Sequence, residues 1–165
     1  MSLAVGALLI VFAALAQVSA MPSFSIFGAH PNLVIALLVS WIAIRTQREA
    51  LLLIPLAGLL LGLLDSQPLG LAMLALAPLI LLSEVKEFRL VESDLLPALG
   101  IAAVATLAYE STGLLTLAVR GESPNWLASV LDILVPATIA NVLLLLPVYG
   151  IVRLASTDLR HRRAL

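Results

Sequence analysis

Residues 58–70 read GLLLGLLDSQPLG, and this stretch predicts both the packing of one helix and the turn into the next. Gly58 and Gly62 lie four residues apart in a leucine-rich run, a spacing that lets two helices approach closely. Asp65 follows them, and a Pro-Leu-Gly sequence ending at Gly70 is typical of a turn. We therefore expect Asp65 to end a tightly packed helix by capping the turn. Its alternative interpretations are a catalytic group, an ion ligand and a substrate contact.

The composition predicts a membrane protein. The chain has 165 residues, of which 62% are hydrophobic and only 12% are charged. Soluble domains are usually about 45–50% apolar and about 25% charged. Since a domain of this size leaves much of its surface exposed, a core cannot hide the excess, and residues 1–165 are expected to form one integral membrane domain. The absence of cysteine excludes disulfides and thiolate metal sites.

Six apolar segments predict an all-α fold, a polytopic bundle of six transmembrane helices. The segments cover residues 2–21, 31–44, 49–64, 69–83, 95–119 and 126–153. The second, third and fourth have only 14 to 16 residues, so their helices either extend into flanking residues or lie partly inside the bundle. We expect Gly113 to break the long fifth segment.

The distribution of Lys and Arg predicts the orientation of the chain in the membrane. With six spans and both termini in the cytoplasm, eight basic residues lie inside and only Arg120 lies outside, as the positive-inside rule requires. The eight are Arg45, Arg48, Lys86, Arg89, Arg153, Arg160, Arg162 and Arg163. Residues 154–165 are then a basic cytoplasmic tail, and Trp41 and Trp126 are expected at opposite membrane interfaces.

Two further segments have more than one interpretation. Leu3 to Ala16, followed by Val18-Ser19-Ala20, imitates a signal peptide, but the first residues carry no Lys or Arg, so we expect a retained helix. The charged connection at residues 84–94 is expected to be either an interfacial helix or a solvated turn.

Small residues at four-residue spacing predict close helix contacts elsewhere in the bundle. One such ridge is Ala98 with Ala102 and Thr106, and another is Ala16 with Ala20. Internal packing and contact with an external partner helix are both open for each ridge. Two uncharged polar residues, Gln17 and Asn141, are expected to form hydrogen bonds between helices.

Four carboxylates fall on the outer half of the predicted bundle: Asp65, Glu110, Glu122 and Asp132. Ionisable groups within spans are costly and mark functional candidates. Glu110 is the deepest, and we expect it to face a neighbouring helix, a cavity or a polar group of a partner. The structural alternatives for Glu110 are pairing with Arg120 and staying protonated, and pairing with Arg120 is also the alternative for Asp132.

A resemblance to a known family rests mainly on residues 31–75. The chain has, in order, Pro31-Asn32-Leu33-Val34 opening the second segment, a short basic loop, Gly58-x3-Gly62-x2-Asp65 and x4-Gly70. This order and spacing resemble the rod shape-determining protein MreD, a family of about this length with five or six predicted spans. That family often has Arg just before the proline of the second span, and this chain has His30 there.

The resemblance implies a non-enzymatic part of the bacterial elongasome in the inner membrane, without cofactors or catalytic residues. Such a protein binds the single-span protein MreC and works alongside the glycosyltransferase RodA, its partner transpeptidase and, indirectly, MreB. Its implied role is helix-to-helix scaffolding that directs lateral peptidoglycan synthesis and cell shape, among membrane lipids and without nucleic acid. The structural or partner-binding candidates are Pro31, Asn32, Gly58, Gly62, Asp65, Gly70, Glu110 and Asp132.

Two alternatives belong to other functional classes. The first is the substrate-binding S component of an energy-coupling-factor vitamin transporter, which also has six spans and which this fold is expected to resemble. The chain has few aromatic side chains for a vitamin pocket. The second is an intramembrane aspartic peptidase using Asp65 and Asp132, since paired carboxylates can activate water.

Overall fold

The computed structural model describes residues 3–45, 47–64, 70–85 and 94–161, most of which are helical. The helices are α1 Leu3–Ser19, α2 Leu33–Ile44, α3 Gln47–Leu64, α4 Leu71–Leu76, α5 Pro78–Val85, α6 Leu95–Val119, α7 Trp126–Ser129 and α8 Val135–His161. A 3₁₀ turn at Met21–Ser23 follows α1, and a π-helical turn at Val130–Leu134 joins α7 to α8. The described residues contain no strand, which confirms the all-α class. The helices match the six predicted apolar segments, with α4 and α5 sharing the fourth and α7 and α8 the sixth.

Two helical stretches are long and apolar enough to cross a membrane, judged by length and composition. The most apolar windows of Leu95–Val119 and Trp126–Ser156 have mean hydropathies of 1.4 and 2.1. Only 33% and 22% of these windows are buried inside the protein, so most of their apolar residues lie at its surface. Because soluble proteins rarely expose large continuous apolar patches, these two helices support a membrane location.

Helix α2 lies in the centre of the bundle. Ten consecutive residues, Val34–Ala43, are buried, and the helix packs against α1, α3, α6 and α8. A helix that is apolar on every face is stable only when neighbours surround it, which is the arrangement seen here. The prediction that a short segment lies inside the bundle is therefore confirmed for α2.

The N-terminal half of α1 packs closely against α2 and α3 through Gly6. A Cβ atom at Gly6 would lie 2.8 Å from Cζ2 of Trp41 and 3.0 Å from Cδ1 of Leu53. The predicted depth of Trp41 at a membrane interface stays a prediction, but the indole is only 1% exposed, so it packs inside the protein instead of facing lipid. The reason is that Gly6 leaves room for the ring between the helices.

The two predicted ridges of small residues have different outcomes. Ala98, Ala102 and Thr106 of α6 are all buried, and α6 packs against α2, α4 and α8, so internal packing is confirmed for this ridge. Internal packing is wrong for the ridge of Ala16 and Ala20, since Ala16 is only half-buried and Ala20 is exposed, and contact with an external partner helix stays a prediction. Helix α1 instead buries Ile10, Ala13 and Ala14, which lie on a different face.

The contact between α3 and α4 depends on Gly58, as the opening stretch predicted. A Cβ atom at Gly58 would lie 2.6 Å from Cα and 3.0 Å from the backbone nitrogen of Met73. Gly62, one turn later, is also buried. Gly70 precedes α4 with φ of +92°, a left-handed conformation that glycine adopts readily, which confirms a turn at this position. Asp65 lies outside the described residues.

Proline and glycine affect helix continuity differently. The fourth segment is divided at Pro78, which has no N–H to donate, so α4 ends at Leu76 and α5 begins at the proline. Helix α6 runs without interruption through Gly113, so the predicted break there is wrong. A glycine inside a helix costs only about 0.5–1 kcal/mol, too little to break a 25-residue helix that packs on three neighbours.

Candidate functional site

The N-terminal end of α2 is held by hydrogen bonds from helices far away in the sequence. Asn32 caps α2, and its side-chain oxygen accepts from the backbone N–H groups of Val34 and Ile35, both at 3.1 Å. The backbone N–H of Asn32 donates to Oδ1 of Asn141 in α8. Nδ2 of Asn141 donates to Oγ1 of Thr106 in α6 at 3.0 Å. Helices α6 and α8 are therefore joined to the start of α2 by one buried chain of polar groups.

Helix α1 joins the same network through Gln17. Its Oε1 accepts from the backbone N–H of Leu33 at 2.7 Å, and its Nε2 donates to the carbonyl oxygen of Pro31 at 3.4 Å. The prediction that Gln17 and Asn141 bond between elements is confirmed. We call Gln17, Asn32, Thr106 and Asn141 the amide network. None of the buried side-chain polar atoms in the described part of the chain lacks a hydrogen-bond partner.

A cavity of about 270 Å³ lies beside the amide network, between α1, the 3₁₀ turn, α2, α3 and α6. Its polar lining comes from Gln17, His30, Asn32, Tyr109 and Glu110. His30 is exposed, and its Nδ1 lies 3.1 Å from the carbonyl oxygen of Phe24. Since a carbonyl oxygen only accepts, this hydrogen bond requires a proton on Nδ1 and leaves Nε2 of the neutral ring as an acceptor.

Glu110 also lines a second cavity, of about 230 Å³, between α6 and the π-helical turn. Thr116, Arg120 and Ile133 contribute to this cavity as well. The prediction that Glu110 faces a cavity is confirmed. Its alternative, a pair with Arg120, is wrong in this structure, because no ion pair joins Glu110 to Arg120, both of which lie in the described part of the chain.

Asp132 lies in the π-helical turn and is exposed. Within this turn the N–H of Val135 donates to the carbonyl oxygen of Val130, five residues earlier, and Pro136 has no N–H for the carbonyl of Asp132. Pairing of Asp132 with Arg120 is not observed among the described ion pairs, so that prediction is also wrong. Asp132 lines neither of the two cavities.

The other end of α2 carries a charged cluster that the sequence analysis missed. Glu49 of α3 accepts a hydrogen bond from Nε1 of Trp41 at 3.0 Å and pairs with Arg45 at 3.1 Å. The Arg45 guanidinium lies 5.9 Å from the centre of the Trp41 ring. The sequence signal that could have predicted this cluster is the four-residue spacing between Trp41, Arg45 and Glu49. About a fifth of each charged side chain stays exposed, which suits a structural role at the helix end.

The described residues contain no group of three or more histidine, aspartate and glutamate side chains that could hold a metal ion. Of the carboxylates considered, Glu110 is the one that lines both cavities, and its surroundings suit non-covalent binding. No family model, curated protein or solved structure matches this chain. Asp65, residues 86–93 and residues 162–165 lie outside the described residues, so the predictions made for them stay predictions.

Proposed function

We propose that this protein is a non-enzymatic membrane scaffold of the bacterial rod elongation complex, which binds MreC and helps to direct lateral peptidoglycan synthesis. In this proposal the six helical groups are six spans of the inner membrane, and both termini lie in the cytoplasm. The eight-to-one distribution of Lys and Arg supports that orientation. RodA, its partner transpeptidase and MreB then act alongside the scaffold, with MreB contacting it indirectly.

One observation carries the proposal: residues that give the MreD resemblance hold helices together. Pro31 and Asn32 lie at the start of the central helix, where α1 and α8 bind their backbone groups. Gly58 gives α3 its backbone contact with Met73, and Gly70 turns the chain into α4. A scaffold needs a fixed helix arrangement more than a reactive group, so these roles favour scaffolding.

The outward apolar surface supports a role among other membrane helices. Large hydrophobic side chains are exposed on α1, on α3 to α6 and on α8, including Leu81 at 70% and Leu154 at 72% exposure. Lipid tails and the span of a bitopic partner both suit such a surface, because close packing rather than hydrophobicity selects the partner in a membrane.

The test is co-purification of the tagged chain with the MreC protein encoded in the same genome. We expect a stoichiometric complex that survives mild detergent, and rounding of rod-shaped cells when the chain is depleted. An unrelated single-span protein of similar hydropathy is the matched control. Absence of the complex, together with normal rod shape after depletion, would exclude this function.

An S component of a vitamin transporter is the second candidate, and the cavity beside the amide network favours it. The volume of about 270 Å³ is slightly below the range of about 300–1,000 Å³ that is usual for small-molecule pockets. Mass spectrometry of the purified chain distinguishes the two candidates, since a retained vitamin supports the transporter and a retained MreC supports the scaffold.

A further inference from the structure

The cavity beside the amide network has a carboxylate in its wall and no Lys or Arg side chain among its described lining residues. The carboxylate belongs to Glu110. His30 donates its Nδ1–H to the carbonyl oxygen of Phe24, and in this tautomer Nε2 is the ring nitrogen that can accept a hydrogen bond. A cationic or donor-rich occupant therefore suits the carboxylate in this wall.

The neighbouring amide side chains form hydrogen bonds with backbone groups and none with Glu110. Both Gln17 side-chain groups bind the backbone of residues 31 and 33, and Oδ1 of Asn32 accepts from the first turn of α2. Within the described part of the chain, the Glu110 carboxylate makes neither a hydrogen bond nor an ion pair. Glu110 is only partly buried and borders the cavity, where a counter-charge or several donors would stabilise its charged form.

We propose that this cavity binds a primary ammonium group, with the Glu110 carboxylate as its counter-charge and His30 at the mouth as a second acceptor. A metal ion fits less well, since the described residues offer no three-ligand cluster. The cavity of about 270 Å³ would hold on the order of nine waters at about 30 Å³ each, so it suits a small organic amine. The source is either the ethanolamine headgroup of a phospholipid or a small soluble amine, and both present the same three N–H donors.

The first experiment compares ligands on the unchanged protein. Native mass spectrometry from neutral detergent measures retention of phosphatidylethanolamine against phosphatidylcholine, whose trimethylammonium group has no N–H. Thermal unfolding in ethanolamine hydrochloride against equal choline chloride tests the soluble source. We expect about tenfold tighter binding of the primary ammonium, because a charge-assisted hydrogen bond is lost in choline. Equal binding of the two headgroups and of the two soluble amines would overturn the proposal.

The second experiment uses Glu110→Gln, which keeps the shape of the side chain and removes its charge. We expect the preference for ethanolamine over choline to fall by about tenfold in this variant. Glu122→Gln is the matched control, because Glu122 is an exposed carboxylate that does not line the cavity. An unchanged preference in Glu110→Gln, with both variants eluting as folded protein, would also overturn the proposal. Neither result depends on MreC binding.

Discussion

The contact of Gly58 with Met73 and the amide network around Asn32 both join helices, but they distribute the interaction differently. At Gly58 a single missing Cβ atom lets α3 approach the backbone of α4, and a backbone can shift only at a higher cost than a flexible side chain. In the amide network the hydrogen bonds are shared by four side chains, one each from α1, α6 and α8 and one from the residue that caps α2. A single substitution should therefore have a larger effect at the glycine contact than in the network.

The largest effect is expected for Gly58→Ala. The new Cβ atom would lie 2.6 Å from Cα of Met73, so one backbone has to shift, and overpacking of this kind costs about 3 kcal/mol. Reversible unfolding in detergent measures the loss. Gly100→Ala is the matched control, because nothing lies within 4 Å of its Cβ position, and it should leave stability unchanged or slightly higher. Equal stability of the two variants would contradict the close contact.

A smaller loss, about 2 kcal/mol, is expected for Gly6→Ala, where the obstacle is a side chain instead of a backbone. The Cβ atom would lie 2.8 Å from Cζ2 of Trp41. Trp41→Phe in the same chain removes that atom, so the double variant should recover part of the loss in a double-mutant cycle. Strictly additive free energies of unfolding would show that Gly6 and Trp41 do not interact.

The amide network should lose about 1–2 kcal/mol in Asn141→Leu, because the N–H of Asn32 loses its acceptor and Thr106 loses a donor. Hydrogen bonds between membrane helices average only about 0.6 kcal/mol each, which limits the effect. Unfolding in detergent again measures it, with Thr138→Val in α8 as the control, since this hydroxyl bonds within its own helix. A loss as large as that of Gly58→Ala would show that the network is not distributed.

The smallest effect is expected for Glu49→Gln at the other end of α2. This ion pair is partly exposed, so its removal should cost under about 1 kcal/mol and become negligible in high salt. Since Glu49 also accepts from Nε1 of Trp41, the tryptophan emission should shift even though stability hardly changes. Because glutamine keeps an acceptor and loses only the charge, unchanged emission would indicate that the Glu49 carboxylate does not lie beside the indole in solution.

Much of the helix pattern could be predicted from the sequence, because an apolar run bounded by polar residues has few other solutions in lipid. The contact at Gly58 was predictable from its spacing to Gly62. Which helix packs against which could not be predicted, since spacing shows that residues share a face but not what covers that face. Ala16 and Ala20 share a face that remains largely uncovered, whereas Gly6, which is followed four residues later by the bulky Ile10, packs on Trp41.

The candidate site was predictable only in part. Glu110, Gln17 and Asn141 could be singled out because polar groups are rare within apolar segments. Their convergence at Asn32 could not be predicted. Asn141, for example, is 109 positions from Asn32 in the sequence, and only the packing of α8 on α2 brings the two together. The cavity depends on how far α1 stands from α6, a distance that no local pattern specifies.

The π-helical turn at Val130–Leu134 has a consequence for insertions and deletions in this chain. Such a turn contains one residue more than a regular helix needs over the same rise, and Pro136 keeps it from rewinding. Deleting one residue there would remove the extra residue, so Ala137 and Ala140 would still face Ala29, and Asn141 would still face Asn32. Deleting one residue farther along α8 would rotate everything beyond it by about 100°. The turn is thus the place where the length of this helix can change without altering its register.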